Sequence, residues 1–282
     1  MTPVQSAEQA LRAGDIEAAL KSLQDGVRAK PADPKLRVFL FQLLCVTGQW
    51  QRAATQLEVC GELDAGTLPM VNTYREALKC EFLREAVFAG KNTPMVFGQP
   101  QGWVALLVEA LMADARGDAA SAAKLRDDAL ASAPAIAGTL NGEPFEWIAD
   151  ADSRIGPVIE AVINGRYCWV PFTALAKVTV EEPVDLRDLV WSAAHFEFTN
   201  GGESVALIPT RYPGTAAEAD GALRLARRTD WLPLSGAHFA GLGQRVMTSS
   251  ASELDFLQVR EIVLAHVDDE EAGDEPAPPA AP

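Results

Sequence analysis

A glycine-led heptapeptide recurs through the first half of this chain, and it restricts that half to stacked helical hairpins. Gly14-Asp15-Ile16-Glu17-Ala18-Ala19-Leu20 is echoed by Gly48-Gln49-Trp50-Gln51-Arg52-Ala53-Ala54, 34 residues on. It returns as Gly117-Asp118-Ala119-Ala120-Ser121-Ala122-Ala123, 69 residues further, close to two more periods. A period of about 34 residues is that of the tetratricopeptide helix–turn–helix unit. The glycine lets the chain leave one helix through a conformation that other residues resist. The small residue five places on (Ala19, Ala53, Ala122) lets paired helices approach closely. Pro31 and Pro134 close the second helices of the first and third copies at matching places.

The segments between these turns carry helical stripes. Leu36, Phe39, Leu40, Leu43 and Leu44 follow i, i+3, i+4, i+7, i+8 spacing, as do Trp103, Leu106, Leu107, Ala110 and Leu111. Ser6 with Gln9 gives a capping-box pattern for the first helix. Leu68 to Val87 reads as a further helix with Val71, Tyr74, Leu78 and Phe82 on one side. Residues 88–102, rich in Gly and Pro, interrupt the array. The spacing predicts about seven helices stacked irregularly over residues 1–137.

At Gly142–Pro157 the period changes from helix to strand. Two aromatics, Phe145 and Trp147, stand there beside Asp150, Asp152 and Arg154. This stretch reads as a linker whose aromatics dock one half on the other, or as part of a recognition surface between the halves. Val158–Ile163, Asn164-Gly165 and Arg166–Phe172 form a hairpin pattern, since Asn-Gly accepts the positive φ angles of a type I′ turn. Pro171 marks an edge or a strand end. Lys177 to Val180 reads as a strand, and Asp185 caps a short helical turn to Trp191. Ala194, Phe196 and Phe198 alternate with polar residues before Asn200-Gly201-Gly202 turns the chain into Glu203–Pro209. Residues 216–228 read as helix, and 231–234, 244–248 and 256–266 as strand material.

The whole is therefore an α+β chain: a tetratricopeptide-like helical array, then a mostly antiparallel β-rich domain or partly closed barrel over 138–267. Residues 268–282, acidic and rich in Pro and Ala, read as a disordered tail.

Net charge is −15, and the six acids between Asp268 and Glu275 account for part of it, leaving −9 without them. Such a surface repels phosphate backbones and anionic membranes. Arg224, Arg227 and Arg228 read as the solvated face of a helix. Cys45, Cys60, Cys80 and Cys168 lack CxxC spacing and suit a reducing compartment. The first residues carry helix signals and no apolar h-region, and no apolar run reaches membrane-spanning length. A soluble, cytoplasmic protein is expected.

Catalytic signals are sparse. His195, His238 and His266 do not pair with Cys or carboxylate at metal-ligand spacing. His195 with Glu197 on one strand face could join Asp150 and Asp152 in a metal-dependent hydrolase site; an ordinary polar strand face is the competing reading. Gly241-Leu242-Gly243 lacks the strand–glycine–helix context of a phosphate loop. Ser249, Ser250 and Ser252 read as a polar loop, and the aromatics lack the interleaved bases of a nucleic-acid platform. No cofactor and no metal are expected, and a scaffold for some other assembly remains an alternative.

The array followed by NGEPFEWIADADSRIGPVIEAVINGRYCWVPF and LRDLVWSAAHFEFTNGGESVALIPTRYPG resembles the ImpE/TagJ (SciE-type) family, accessory proteins of bacterial type VI secretion systems. The resemblance extends to about residue 267. It implies a non-enzymatic role: binding the N-terminal helical segment of the small sheath subunit, with an association to the ATPase that disassembles the contracted sheath. An amphipathic helix would be held by apolar anchors in a groove, with charge complementarity setting its direction. Asp150, Asp152, Arg154, Trp169, Arg211 and Tyr212 fall in the segments that carry the resemblance and are the partner-binding candidates.

Overall fold

A computed structural model of the chain describes residues 1–99 and 101–266. Seven helices come first: α1 (Pro3–Arg12), α2 (Ile16–Ala29), α3 (Pro34–Val46), α4 (Trp50–Leu63), α5 (Leu68–Phe88), α6 (Gly102–Ala115) and α7 (Ala119–Ser132). The pairs α1/α2, α3/α4 and α6/α7 are the three repeat units. Their glycines, Gly14, Gly48 and Gly117, stand at φ of 79°, 65° and 75°. Ala19, Ala53 and Ala122 are buried at the helix contacts. Each recurrence in the sequence is thus a left-handed exit from one helix into the next.

Two local expectations are corrected. Helix α1 is capped by Thr2 and Gln5 in a reciprocal box, not by Ser6 and Gln9. Ser6 lies inside the helix, its Oγ 3.1 Å from Ser22 Oγ on α2. On α5, Val71, Tyr74 and Leu78 are buried but Phe82 is exposed. At 100° per residue Phe82 sits about 80° round from Tyr74, whereas Glu81 is only about 20° away. The buried stripe therefore runs on through two charged residues, Glu81 and Arg84.

The second half forms strands, to which one short strand between α5 and α6 is added. In chain order they are β1 (Met95–Val96), β2 (Gly138–Leu140), β3 (Glu143–Phe145), β4 (Ile148–Asp150), β5 (Val158–Ile163), β6 (Arg166–Pro171), β7 (Leu175–Val180), β8 (Trp191–Phe198) and β9 (Glu203–Pro209). After the four-residue helix α8 (Gly221–Arg224) come β10 (Thr229–Pro233), β11 (Phe239–Gly243), β12 (Val246–Ser249), β13 (Glu253–Asp255) and β14 (Glu261–Leu264). The main sheet has nine strands in the order β1-β6-β5-β9-β8-β7-β14-β2-β3. All neighbours are antiparallel except β1 and β6. Smaller ribbons, β10-β11 and β13-β12-β4, complete it. Asn164 and Gly165, at φ of 49° and 72°, make the β5–β6 turn, and Pro171 ends β6.

The sheet is two-sided. Ile159, Val170, Phe196, Met247, Phe256 and Ile262 belong to one apolar cluster. The opposite face, with Val158, Val162, Trp169, Trp191 and Leu207, shares a single cluster with Phe41, Trp50, Tyr74 and Trp103 of the helices. Alternation along β5 places Val158, Glu160 and Val162 toward the helices. Helix α3 is buried all round toward its C-terminus because the 3-10 turn Leu186–Leu189 packs on it from the sheet side.

The helix expected over 216–228 is only α8. Gly221 lies so close to the turn at Gly14 that a Cβ there would stand 2.1 Å from the Gly14 carbonyl oxygen. Ala226 then turns the chain at φ 52°. Of the nearby arginines, Arg227 and Arg228 are exposed as a solvated face requires, but Arg224 is buried. Arg224 pairs with Glu17 at 2.7 Å, Arg227 donates to the Leu11 and Arg12 carbonyls at the end of α1, and Arg228 pairs with Asp220 and Asp230. No helix among the described residues is long and apolar enough to cross a membrane. The tail expected over 268–282 lies outside the described residues.

Candidate functional site: the seam between helices and sheet

The centre of the seam is Glu160, placed in the middle of the apolar strand Val158–Ile163 and fully buried. From α5, Arg84 donates Nε to Glu160 Oε1 at 2.8 Å and Nη2 to Oε2 at 3.1 Å. From the chain before β12, Arg245 donates to Glu160 Oε2 and, through its other terminal nitrogen, to Asp150 Oδ2. Arg245 Nε is taken by the Pro209 carbonyl at 2.9 Å. Tyr167 donates its hydroxyl to Glu160 Oε1 and accepts Trp169 Nε1 at 2.8 Å. Arg84 also reaches Glu81 Oε2 at 3.4 Å, and Glu81 Oε1 accepts Trp191 Nε1 at 2.8 Å.

The sequence-derived candidates extend this network. Asp150 Oδ1 accepts the Tyr212 hydroxyl at 3.0 Å and the Asp152 amide at 2.8 Å. Asp152 holds Arg154 through three side-chain hydrogen bonds and accepts the Gly241 amide at 2.9 Å. Arg154 in turn lies over the Phe88 ring of α5, 5.2 Å from its centroid. Arg211 donates to the Val46 carbonyl at 2.9 Å, to Cys45 and to Arg224, placing a cation against the C-terminal end of α3 where the helix dipole favours it. Arg84 Nη2 donates to the Arg211 carbonyl at 2.8 Å, which links the two arginines' surroundings.

Eight charged side chains are gathered here, and they balance: Arg84, Arg154, Arg211 and Arg245 against Glu81, Asp150, Asp152 and Glu160. Burial alone raises the Glu160 carboxyl, but Arg84 and Arg245 outweigh it and hold the group at about 2. Burial pushes Asp150 up to about 6, with Arg245 pulling the other way. For Arg211, burial dominates and lowers the guanidinium to about 10. Charges this deep persist only when paired and hydrogen-bonded.

The six candidates are thus brought together, but five of them are buried: Asp150, Asp152, Trp169, Arg211 and Tyr212 are each at most 4% exposed. Little of their surface is open to a partner. Their side chains frame the seam from within. Arg211 and Tyr212 reach the wall of an open cleft of about 360 Å³, lined also by Gly48, Trp50, Glu85 and the loop Pro213–Ala217, and Asp150 reaches a second hollow beside Trp147. In that cleft Trp50 Nε1 donates to Glu85 Oε1 at 2.7 Å.

The acid–base or metal constellation does not assemble. Both Asp carboxylates are held by arginines, while His195 lies on an exposed strand face 3.2 Å from Glu203. No group of three or more His, Cys, Asp or Glu among the described residues could hold a metal ion. Sequence reasoning missed Glu81, Arg84, Glu160, Tyr167 and Arg245. A visible signal was the single carboxylate of Val158–Ile163, which a strand with both faces covered does not carry without a buried cation to match it.

The model of the ImpE protein family matches residues 142–263, the stretch that supplies Asp150, Glu160, Trp191, Tyr212 and Arg245. The type VI secretion system accessory component TagJ of Pseudomonas aeruginosa (strain PAO1) is 50% identical over 256 residues, covering 91% of this chain and 90% of that protein. The crystal structure of protein VPA1032 from Vibrio parahaemolyticus has the same fold, with a TM-score of 0.85 over 93% of this chain and 98% of that one, at 23% identity.

Proposed function

This chain belongs to the ImpE family and is a type VI secretion accessory component, and we propose from that premise that it works as a non-enzymatic cytoplasmic adaptor. It holds the N-terminal helix of the small sheath subunit and links the contracted sheath to its disassembly ATPase. The observation that carries this reading is the state of the buried charges. Each of the eight seam residues is committed to other groups of the same chain, as in a framework. Among the described residues, the buried side-chain atoms left without partners belong to Arg126, Arg187 and Arg224, outside that set. A site built for chemistry keeps polar groups for its substrate; this one spends them on rigidity. A rigid surface that loses little freedom on association suits a protein that captures a helix.

The test is a titration of the purified protein with a peptide spanning the N-terminal helix of the small sheath subunit, followed by fluorescence anisotropy. Binding at tens of micromolar or tighter is expected. No binding by protein shown to be folded would remove the reading.

A further inference from the structure

One side of the helical array is covered by this chain's own sheet half, with Trp191 packed against Trp50 and Tyr74, so that side is closed to a peptide of the kind repeat proteins take. Exposed apolar surface lies elsewhere. Four aromatic side chains are exposed by more than a third among the described residues, and three of them, Trp147, Trp231 and Phe239, lie around the segment that joins β4 to β5. Trp147 and Leu130 line one hollow of about 360 Å³ between the end of α7 and β4. Trp231 and Phe239 line a second of about 280 Å³ on the β10-β11 ribbon. Ala151 lines both, so the two are one strip. Ser153 fixes them together, its amide donating to the Phe239 carbonyl at 3.0 Å and its Oγ accepting the Phe239 amide at 3.2 Å.

The strip is bordered by acids. Glu253 lines the second hollow, Glu146 precedes Trp147 in the chain and is exposed, and on α7 Asp128 is exposed two residues before Leu130, while Asp127 is paired with His238 at 3.1 Å. On the same segments Arg154 is occupied by Asp152 and Arg228 by Asp220 and Asp230, while Arg126 of α7 is fully buried and paired with Asp114. Large apolar anchors inside an acidic border match one kind of ligand: an amphipathic helix with apolar residues at i, i+3, i+4 and i+7 and Lys or Arg beside them.

We propose that the strip formed by Leu130, Trp147, Trp231 and Phe239 is the docking surface for a basic amphipathic helix of a protein partner. It rests on the adaptor reading above and gives that reading an address on the molecule, next to the cleft at Trp50 and Glu85 through Tyr212, which lines that cleft and packs 5.7 Å from the Trp231 ring.

The experiment uses the full chain and the labelled sheath-subunit peptide, with Trp147→Ala, Phe239→Ala and the double charge reversal Glu146→Lys/Glu253→Lys. Phe82→Ala, exposed on α5, serves as the control, and thermal melts show that each variant is folded. Wild type and Phe82→Ala should bind alike, each strip variant at least tenfold more weakly, and the charge reversal should also flatten the salt dependence. Wild-type binding that the strip variants leave unchanged would overturn the strip and leave the adaptor reading standing. Failure of wild type to bind would overturn both. A concentration-dependent dimer in light scattering, abolished by Trp147→Ala, would show that the strip serves a second copy of this chain and would overturn the proposal as stated.

Discussion

Arg84 on α5 and Glu160 on β5 meet across the seam in a two-pronged bond of 2.8 and 3.1 Å, with neither side chain in appreciable contact with water. Their positions are 76 residues apart in the chain. A buried pair of this kind adds little over a well-packed apolar alternative, but removing one partner strands the other. Its role is to admit one docking of helices on sheet, since any shifted arrangement buries an unpaired charge.

The first prediction follows directly. Glu160→Gln leaves Arg84 and Arg245 without their shared anion and should destabilise the protein by about 3–5 kcal/mol, read as a lowered midpoint in urea. A loss under about 1 kcal/mol would mean that solvent reaches the pair.

Asp150 and Glu160 should give stability opposite pH dependences. Glu160 is depressed to about 2, so its contribution is present above its unfolded value of about 4.3 and is lost as pH falls toward 2. Asp150 is raised to about 6, so it binds its proton more tightly when folded. That contribution is present below about pH 3.9 and lost as pH rises through 6. The urea midpoint of Asp150→Asn should therefore improve relative to wild type between pH 4 and 7. A constant gap would show that Asp150 is ionised throughout that window.

Two repeat glycines allow backbone strain to be separated from packing. Gly14 and Gly48 both have positive φ, but a Cβ on Gly14 meets nothing within 4 Å while one on Gly48 would stand 2.7 Å from Ala216 Cβ. Gly14→Ala should cost about 1 kcal/mol. Gly48→Ala should cost about 1–3 kcal/mol more, since it also presses the helical turn against the sheet-side loop. Equal losses in paired melts would show that the loop yields.

All four cysteines are free and buried, and burial raises their thiols, Cys60 and Cys168 to about 11 and Cys80 to about 12. Thiolate, the reactive form, is therefore scarce at neutral pH. A chromogenic thiol reagent at pH 8 should count none in the native protein and four after unfolding. A fast-reacting thiol in the folded chain would mark local opening.

Much of the architecture could be read from residue order. The glycine-led heptapeptide gave the helical hairpins because a left-handed exit is a local requirement. Asn164-Gly165 gave the β5–β6 hairpin for the same reason. The α+β organisation and the family resemblance were both legible. The errors arose where a tertiary neighbour overrode a local pattern. Residues 216–228 have helical composition, yet the backbone of Gly221 against Gly14 leaves room for only one turn. Phe82 fits an i+4 stripe drawn from Tyr74 and Leu78, while the actual contact line drifts onto Glu81 and Arg84. The candidate cluster of Asp150, Asp152 and Arg154 was rightly seen as a unit, but sequence does not reveal which side of a strand faces another layer. Its charges therefore looked available when they were already matched. Arg245, 95 residues from Asp150, left no local trace of its role.

The two-residue strand Met95–Val96 has a consequence for synthesis on the ribosome. It lies parallel to β6, pairing Met95 with Cys168 and Val96 with Trp169. Val96 therefore emerges some seventy residues before the Trp169 it pairs with, and that edge stays open meanwhile. Until then Trp50, Tyr74 and Phe88 have no Trp191 or Trp169 to cover them. The nascent helices are thus at their stickiest before β6 and β8 are made, when a chaperone has the most to protect.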